Sequence, residues 1–411
     1  MNVKWYRDST QLANETYTVD SSTYFCNTQV QAYNKIVITI GNMTKADRFL
    51  KIYNISDGIS RQFYNDELEN CEFIEQIATN NDALDINEAT VTLLPKSTAG
   101  VLFQRTLPFI IYRNSTMLGH FFVKSSTSNT DKSLYKIKVS DYISILEGQT
   151  FLGGDYYEIK ASNIISSILG DIPYYLDTSI NRYLTGYLPI LNKREALREV
   201  AFAIGGIVDT SRSDAIRIIA PPSIVSRTIP DSEVFKIETT EENVVTKIEV
   251  STKELVTEKN LEADDIYSGS INGQTVTIIF DSPKFALSIT GGTIVSSNLN
   301  YAIITGTSST TTLKGKSYEE SVSVASKTNP YVVSTDIEKV SSYETTLKAL
   351  TPAINHLNFV QYKIKSKFQM RDTRVGDLVK LGGQKCRVMT LNYDAGQTIV
   401  ICDAELEAYY G

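Results

Sequence analysis

The segment GYLPILNKREALREVAFAIGGIVDTSRSDAIRII, residues 186–219, limits the possible folds more than any other part of the chain. Asn192 and Glu195 have the spacing of a capping box, with Asn in place of the usual Ser or Thr, and predict that a helix begins there. Gly205 is the residue type that commonly ends a helix. The apolar stripe between these two ends consists of Ala196, Leu197, Val200, Ala201 and Ile204. The pattern predicts a helix with one buried face.

Two short strands and a second helix are predicted around this helix. "GIVDT" and "AIRIIA" are apolar runs joined by a polar "SRSD" turn, and Pro221–Pro222 closes the pattern. The earlier helix is predicted in "ASNIISSILGD", with Ser162 or Asn163 near its cap and Gly170 at its end. We therefore expect a compact α/β domain at residues 154–228, held by its own small core.

The rest of the chain is expected to be mainly β. Its 24 Tyr and 15 Phe, with many Thr, Val and Ile, favour pleated and half-buried surfaces. Residues 1–65 contain alternating runs such as "KIVITIGN" and "RFLKIYNI" and predict a small N-terminal β segment. Residues 66–153 contain longer strands, ending in "LYKIKVSDYISIL", with a hairpin turn within residues 112–119. We interpret them as a first β-barrel.

A second β-barrel is predicted at residues 229–411. A Ser-, Thr- and Gly-rich stretch at about residues 262–335 interrupts it, and apolar residues recur there at period two, which predicts a β insertion. Ser341 and Glu344 form another capping-box pattern and predict a helix running to Leu357, with a kink at Pro352. The closing hairpin is predicted over "YDAG".

Charge and cysteine usage narrow the possible functions. The formal net charge of -7 argues against a protein that binds nucleic acid through a basic face. An acidic surface could instead line a passage through which DNA slides, because like charges repel. The four cysteines lack CxxC spacing, so no zinc or redox motif is indicated. No 18-residue apolar run or signal peptide is recognised, so we expect folding in a cytoplasm and no membrane insertion.

The residue types that catalysis usually requires are few or lie in ordinary structural contexts in this sequence. The chain has two histidines, His120 and His356, and both are interpreted as half-buried structural residues. A glycosidase would need two carboxylates. The candidates are Asp141, Asp155 and Glu158, or Glu195 and Glu199, all in ordinary turn, strand-edge or cap contexts. We predict no catalytic, cofactor-binding or metal-binding residues. Exposed aromatic residues of the insertion, such as Phe280, Phe285 and Tyr301, leave open a sugar-binding or partner-binding surface.

Residues 70–222 resemble the baseplate hub or tail-tip hub proteins of bacteriophages and prophages from Gram-positive hosts. "GQTFLGGDYY", a helix ending in "ILGDIPY" and the 186–219 segment carry the resemblance. The matching residues are Gly186, Pro189, Ile190, Arg194, Glu195, Ala196, Leu197, Ala201, Phe202, Ala203, Gly205, Asp209, Thr210, Ser211 and Asp214. "LPFIIYRNSTMLGHFFV" resembles the first hub barrel, and the C-terminal "RVGDLVKL" to "CDAEL" stretch resembles the closing hairpin.

The resemblance implies a homotrimer in which two tube-like barrels per chain alternate around an axis, with the α/β domain as a packing domain. Structural or interaction roles are implied for Gly186, Pro189, Arg194, Glu195, Phe202, Gly205, Asp209 and Asp214. The implied partners are a tail tube or distal tail protein and a spike, fibre or tape-measure protein, with DNA passing through without specific binding. The implied location is the tail tip or baseplate of a virion assembled in the host cytoplasm. A receptor- or carbohydrate-binding adhesin and a cell-wall hydrolase are the alternatives.

Overall fold

Two compact units, consisting of residues 1–67 with 95–102 and residues 68–94 with 103–411, make up the computed structural model. The structure describes residues 1–19, 26, 28, 30, 33–41, 62–79, 82–96, 103, 108–130, 133–241, 244–257, 262–306, 310–332 and 339–410. The predicted strand "RFLKIYNI" lies outside these residues.

The smaller unit contains a three-stranded antiparallel sheet. Its strands are β1 (Asn2–Arg7), β2 (Thr10–Thr16) and β3 (Lys35–Thr39), and β1 lies in the middle. Val3 and Trp5 alternate with more exposed residues along β1 and are buried. This strand therefore supplies the apolar face of the sheet, and "KIVITIGN" contains a strand as predicted.

The larger unit begins with β4 (Leu68–Gln76), β5 (Glu88–Leu93), β6 (Pro108–Arg113), β7 (Thr116–Ser128), β8 (Tyr135–Ser140), α1 (Tyr142–Glu147) and β9 (Thr150–Phe151). The next elements are β10 (Gly154–Lys160), α2 (Ala161–Leu169), β11 (Tyr174–Leu176), β12 (Tyr183–Leu188), β13 (Leu191–Asn192), α3 (Lys193–Ile204), β14 (Ile207–Asp209), β15 (Ile216–Ile219) and β16 (Val225–Thr228).

Strands then dominate: β17 (Val234–Glu241), β18 (Lys247–Val256), β19 (Asp264–Gly269), β20 (Thr275–Ile279), β21 (Lys284–Thr290), β22 (Thr293–Ser297), β23 (Tyr301–Thr305), β24 (Thr311–Ser317) and β25 (Glu319–Thr328). The last ones are β26 (Val340–Thr345), β27 (Leu347–Ala349), β28 (Val360–Gln369), β29 (Leu378–Leu381), β30 (Gln384–Asp394) and β31 (Ile401–Tyr409). The protein is mainly β, as the sequence predicts.

One 11-stranded sheet joins strands from both predicted barrels. Its main path runs β17-β28-β31-β30-β4-β5-β8-β7-β6, with β29 paired to β30 and β16 paired to β29. The two halves meet where β30 pairs with β4, and there the rings of Phe73 and Tyr393 stack with centroids 5.2 Å apart. Within the described residues this path has two ends. No closed barrel is found in the described part of the chain, and the two halves predicted as separate barrels share one sheet, because β4 of the first half pairs with β30 of the second.

The helices and their strands share a core with segments outside residues 154–228. α2 and α3 bury their apolar stripes against each other, and the cluster also includes Leu84, Ile143 of α1 and Leu347 of β27. The expected α/β elements are present, including the sheet β11-β15-β14. The expectation that they have a core of their own is corrected, because their apolar faces are completed by other parts of the chain.

Three local predictions were wrong. α1 replaces the end of a predicted strand, because Asp141 accepts a hydrogen bond from the Ile143 amide and caps a helix there. α2 begins after Lys160, whose side chain makes no capping hydrogen bond, so neither Ser162 nor Asn163 is the cap residue. The Ser162 amide donates to the side chain of Asn181, which lies in a later segment of the chain. Residues 340–349 form β26 and β27 in place of a helix, because β26 pairs with β18 and β27 pairs with β12. Only a short 3-10 turn follows Pro352.

The insertion consists of strands, as its period-two pattern predicts, and these form two small sheets. β19-β24-β21 and β20-β23-β22 form two three-stranded sheets, and their core contains Ile271, Phe280, Ala302, Ile304 and Leu313. The buried Asn300 side chain fixes it in place by donating to the carbonyls of Leu152 and Leu188, each at 2.9 Å. Nearby, Asn298 donates to the Gly153 carbonyl at 3.1 Å.

We expect Asn300→Ala to loosen this attachment without unfolding the insertion's core. The substitution removes two hydrogen bonds and leaves two carbonyls without these donors, which costs about 1–3 kcal/mol. Hydrogen exchange should become faster at residues 150–153 and 298–301 and stay unchanged in the 313 region. Equal acceleration throughout the insertion would contradict the local attachment.

Candidate functional site: a polar junction

The turn after β14 is held in shape by a buried aspartate. The carboxylate of Asp209 accepts hydrogen bonds from the Ser211 amide at 2.8 Å and its hydroxyl at 2.6 Å. Arg217 on the neighbouring strand donates to its other oxygen at 3.2 Å. Burial raises the pKa of Asp209, although these donors favour the charged form. The "DTSR" sequence therefore specifies one turn conformation.

Thr210 connects this turn to the first half of the sheet. Its hydroxyl donates to the carboxylate of Asp141, the residue that caps α1, and accepts from the Asn87 side chain at 2.8 Å. Asp141 also accepts from the amides of Asn87 at 2.9 Å and Ile143 at 3.0 Å. Burial raises the pKa of Asp141 to about 6, and the hydrogen-bond donors act in the opposite direction.

Arg212 connects the same turn to both halves of the sheet. Its Nε and Nη2 atoms contact the two carboxylate oxygens of Glu75 on β4 at 3.0 and 3.1 Å, in a bidentate pair. Nη2 also donates to the Thr373 carbonyl at 2.9 Å, in the second half. The Tyr393 hydroxyl, on β30, donates to Glu75 at 2.7 Å. Burial and the Glu75 carboxylate both raise the pKa of Tyr393.

We name residues 209–212 with Glu75, Asp141 and Tyr393 the polar junction. The side chains of Arg212 and Glu75 are 6% and 1% exposed, so both charges are paired away from bulk water. A buried charge that loses its partner is costly, whereas the intact pair satisfies both groups. The junction therefore fixes the turn, α1 and the seam between β4 and β30 relative to one another.

We expect Asp141→Asn to destabilise the larger unit by about 2 kcal/mol, because the single amide oxygen cannot replace both carboxylate oxygens, of which one accepts from the Ile143 amide and the other from Asn87 and Thr210. Urea denaturation followed by circular dichroism should measure the loss. Thr16→Ser, on the exposed strand β2, is a control expected to leave stability unchanged. An Asp141→Asn variant as stable as the wild type would contradict the hydrogen-bonding assignment.

The residues that the resemblance singled out make internal contacts for the most part. Gly186 lies in β12 with φ 137°, and a Cβ there would meet the Thr346 carbonyl at 2.1 Å. Gly205 ends α3 in the left-handed conformation with φ 74°, against the His356 ring. Phe202 is buried with Ile248 and Leu357 in a separate apolar cluster.

The remaining ones lie at the ends of elements. The backbone carbonyl of Pro189 lies close to Gly153. The Arg194 side chain donates to the Leu84 carbonyl at 2.8 Å, and the Glu195 amide donates to the Asn192 side chain at 2.8 Å. Asp209 belongs to the polar junction, whereas Asp214 is exposed. The predicted helix start at Asn192 and end at Gly205 are confirmed. The structure thus brings Asp209 into the junction, and the other singled-out residues are not part of it.

Glu75 and Tyr393 were missed by sequence reasoning. The run "CEFIEQI" places Cys71, Phe73 and Ile77 on the buried face of an alternating pattern, and Glu75 falls on that same face. A carboxylate at a core position needs a buried partner. That signal predicts a partner but does not identify Arg212, which is 137 residues away.

Three of the catalytic and sugar-binding candidates, Glu199, Phe280 and Phe285, pack against or pair with neighbouring side chains. Glu199 lies beside Arg198 at 2.7 Å, and burial raises its pKa. Phe280 is a core residue of the insertion, and Phe285 packs on Tyr318 with ring centroids 4.8 Å apart. Within the described ranges, no group of three His, Cys, Asp or Glu residues could hold a metal ion. No described helix is long and apolar enough to cross a membrane.

Comparisons with known proteins give similarity only at the level of solved structures. No protein-family model and no curated protein matches the chain. A tail protein from Neisseria meningitidis MC58 is 8% identical with a TM-score of 0.49, covering 84% of this chain and 92% of its own.

Two prophage proteins are similar to the same extent. The 43 kDa tail protein of prophage MuSo2 from Shewanella oneidensis is 8% identical with a TM-score of 0.45, covering 83% of this chain and 93% of its own. Prophage tail protein gp18 from Listeria monocytogenes EGD-e is 10% identical with a TM-score of 0.48, covering 85% and 89%. The similar solved structures also include the E. coli c3393 protein, a component of the type VI secretion system, and a PdpA–VgrG complex.

Proposed function

We propose that this chain is a structural protein of a phage tail or tail-like particle, and that it forms a trimeric hub at the distal end of the tail tube. The hub would surround part of the DNA channel and anchor tip, spike or fibre proteins. The resemblance of residues 70–222 to hub proteins of phages from Gram-positive hosts supports the proposal. In this proposal, boundaries at residues 65, 153 and 228 divide the chain into the N-terminal segment, the first hub half, the packing elements and the second hub half.

The observation that carries the proposal is the seam at which β30 pairs with β4 and Arg212 crosses to Glu75. A ring of repeated units needs each chain to hold its two sheet halves at a fixed spacing. The seam does this with ladder hydrogen bonds, the Phe73–Tyr393 stack and a buried bidentate ion pair. In the trimeric hub, the two halves of this one sheet would then occupy the positions that were predicted for two separate barrels.

Quantitative mass spectrometry of purified tail particles tests the proposal. We expect the chain as a low-copy component, three per particle, far below the copy number of the tube protein. A copy number close to that of the tube protein, or absence from the particles, would contradict a hub at one end. Cross-linking in the intact particle should also connect this chain to itself and to the tube protein.

A further inference from the structure

The insertion keeps its charged residues towards the end that is attached to the rest of the larger unit. Residues 266–280 and 285–313 contain no Asp, Glu, Lys or Arg, although these four types make up 21% of the chain. The charged residues between positions 263 and 318 lie towards the attachment at Asn298 and Asn300, and they are Asp264, Asp265, Asp281, Lys284, Lys314 and Lys316. Surfaces that stay in water ordinarily carry charges of both signs, whereas the cores of protein interfaces are depleted of them. The charge-free part of the insertion is therefore suited to contact with another uncharged surface.

β20 is an edge strand without the usual protection against pairing. It consists of five β-branched residues, TVTII, and its register against β23 is unbroken. Native edge strands are protected by charged residues, proline, bulges or short length. Each of the other described edge strands of four or more residues contains a charged residue or a register shift, and these strands are β2, β3, β6, β10, β16, β17, β19, β21, β22, β25 and β26. β20 is therefore open to a further strand.

The backbone groups on the open side of β20 can be identified from the hydrogen bond that follows the strand. The Phe280 amide donates to the Asn300 carbonyl at 2.9 Å, so it faces β23. Because successive residues of an antiparallel strand direct their amides and carbonyls to opposite sides, those of Thr275, Thr277 and Ile279 face the open side. A row of alternating donors and acceptors is matched by the backbone of an extended chain, as in strand addition.

The composition of the sheet limits what the added strand contains. No residue of β20, β22 or β23 is charged. A charged side chain on the added strand would lie against this sheet without a partner, which is costly. The sheet therefore favours an uncharged segment.

We propose that β20 binds an extended, uncharged segment of another protein of the tail particle, which adds to the sheet β20-β23-β22 as a fourth strand. This inference rests on the proposed function, in which the hub holds tip, spike or fibre proteins. A second copy of this chain is not the occupant, because two β20 strands would pair around a two-fold axis, which a trimeric hub lacks.

Amide hydrogen exchange tests the proposal residue by residue. In the purified chain, the amides of Thr275, Thr277 and Ile279 should exchange fast, because they face the open side. In tail particles the same three amides should lose their fast exchange. The amides of Val276 and Ile278 face β23 and should exchange slowly in both samples. Mass spectrometry with electron-transfer fragmentation measures exchange at single residues.

The outcomes separate this inference from the proposed function. Particles that contain the chain but leave the three amides in fast exchange would overturn the strand addition and leave the hub proposal standing. Absence of the chain from all particles would overturn both. Slow exchange of the three amides already in the purified chain would mean that a second copy covers β20, and would overturn the assignment to another protein.

A proline variant tests the strand addition by a second route. Thr277→Pro removes an amide on the open side and keeps the amides of Val276 and Ile278, which face β23. Particles assembled with this variant should lose a protein that particles with Thr277→Val retain, because valine keeps both the amide and the β-branched shape. Equal protein composition of the two kinds of particle would overturn the proposal.

The same exchange measurement controls for misfolding of the proline variant. The residues Ala302 and Ile304 lie opposite Ile278 and Val276, and their amides should remain slow in the purified variant. If they became fast, the sheet itself would be disrupted, and the exchange comparison on the unmodified chain would decide the proposal.

Discussion

Replacing Arg212 with alanine is expected to destabilise the larger unit by about 3–5 kcal/mol, because it leaves the Glu75 carboxylate buried without its bidentate partner. The Thr373 carbonyl also loses a donor at 2.9 Å. Urea denaturation followed by circular dichroism measures the change. Hydrogen exchange should show the loss first in β4 and β30, the strands that form the seam.

Two further variants make this result specific. Adding Glu75→Gln to Arg212→Ala removes the unpaired charge and should recover part of the lost stability, as expected of a double-mutant cycle on a coupled pair. Lys365→Ala removes an exposed ion pair and should cost at most about 1 kcal/mol. If Arg212→Ala were no more damaging than Lys365→Ala, the junction would not hold the two halves together.

Gly186→Ala is expected to have an effect of similar size for a different reason. The backbone there has φ 137°, and the added Cβ would lie 2.1 Å from the Thr346 carbonyl oxygen. Relief requires the β12 and β27 backbones to separate, which disrupts the contact in which the Tyr187 amide donates to Thr346 at 3.1 Å. Overpacking and backbone strain together should cost about 2–5 kcal/mol.

Gly170→Ala provides the matched control. Gly170 also has positive φ, at 63°, but a Cβ there meets nothing within 4 Å. Its substitution should therefore show only the conformational penalty of a residue with φ 63° and ψ −116°, about 1–3 kcal/mol, without a steric clash. Equal losses at residues 170 and 186 would mean that the close approach to Thr346 does not limit stability. Differential scanning calorimetry of both variants distinguishes the two outcomes.

The features that were predicted correctly from the sequence are those determined by interactions between residues close together in the chain. α3 begins at Asn192 and ends at Gly205 because both capping interactions lie within a few residues of the helix. The β6–β7 hairpin turns at Asn114 and Ser115, which have φ 48° and 66°, within the predicted turn. The mainly β character likewise follows from alternation along single strands.

Long-range pairing accounts for what the sequence could not predict. Ser341 and Glu344 have helix-cap spacing, but their segment pairs with β18, about 90 residues earlier. The union of two expected barrels in one sheet depends on the contact of β30 with β4, which no local pattern encodes. The partner of Glu75 is equally remote, so the alternating run around it predicts burial without predicting Arg212.

Immunolabelling of tail particles from an induced lysate, viewed by negative-stain electron microscopy, tests the central claim most directly. Antibodies against this chain should label one end of the tail, the end distal to the capsid where a capsid is present. Label along the whole tail, or unlabelled particles with the protein free in the soluble fraction, would contradict a tail-tip hub.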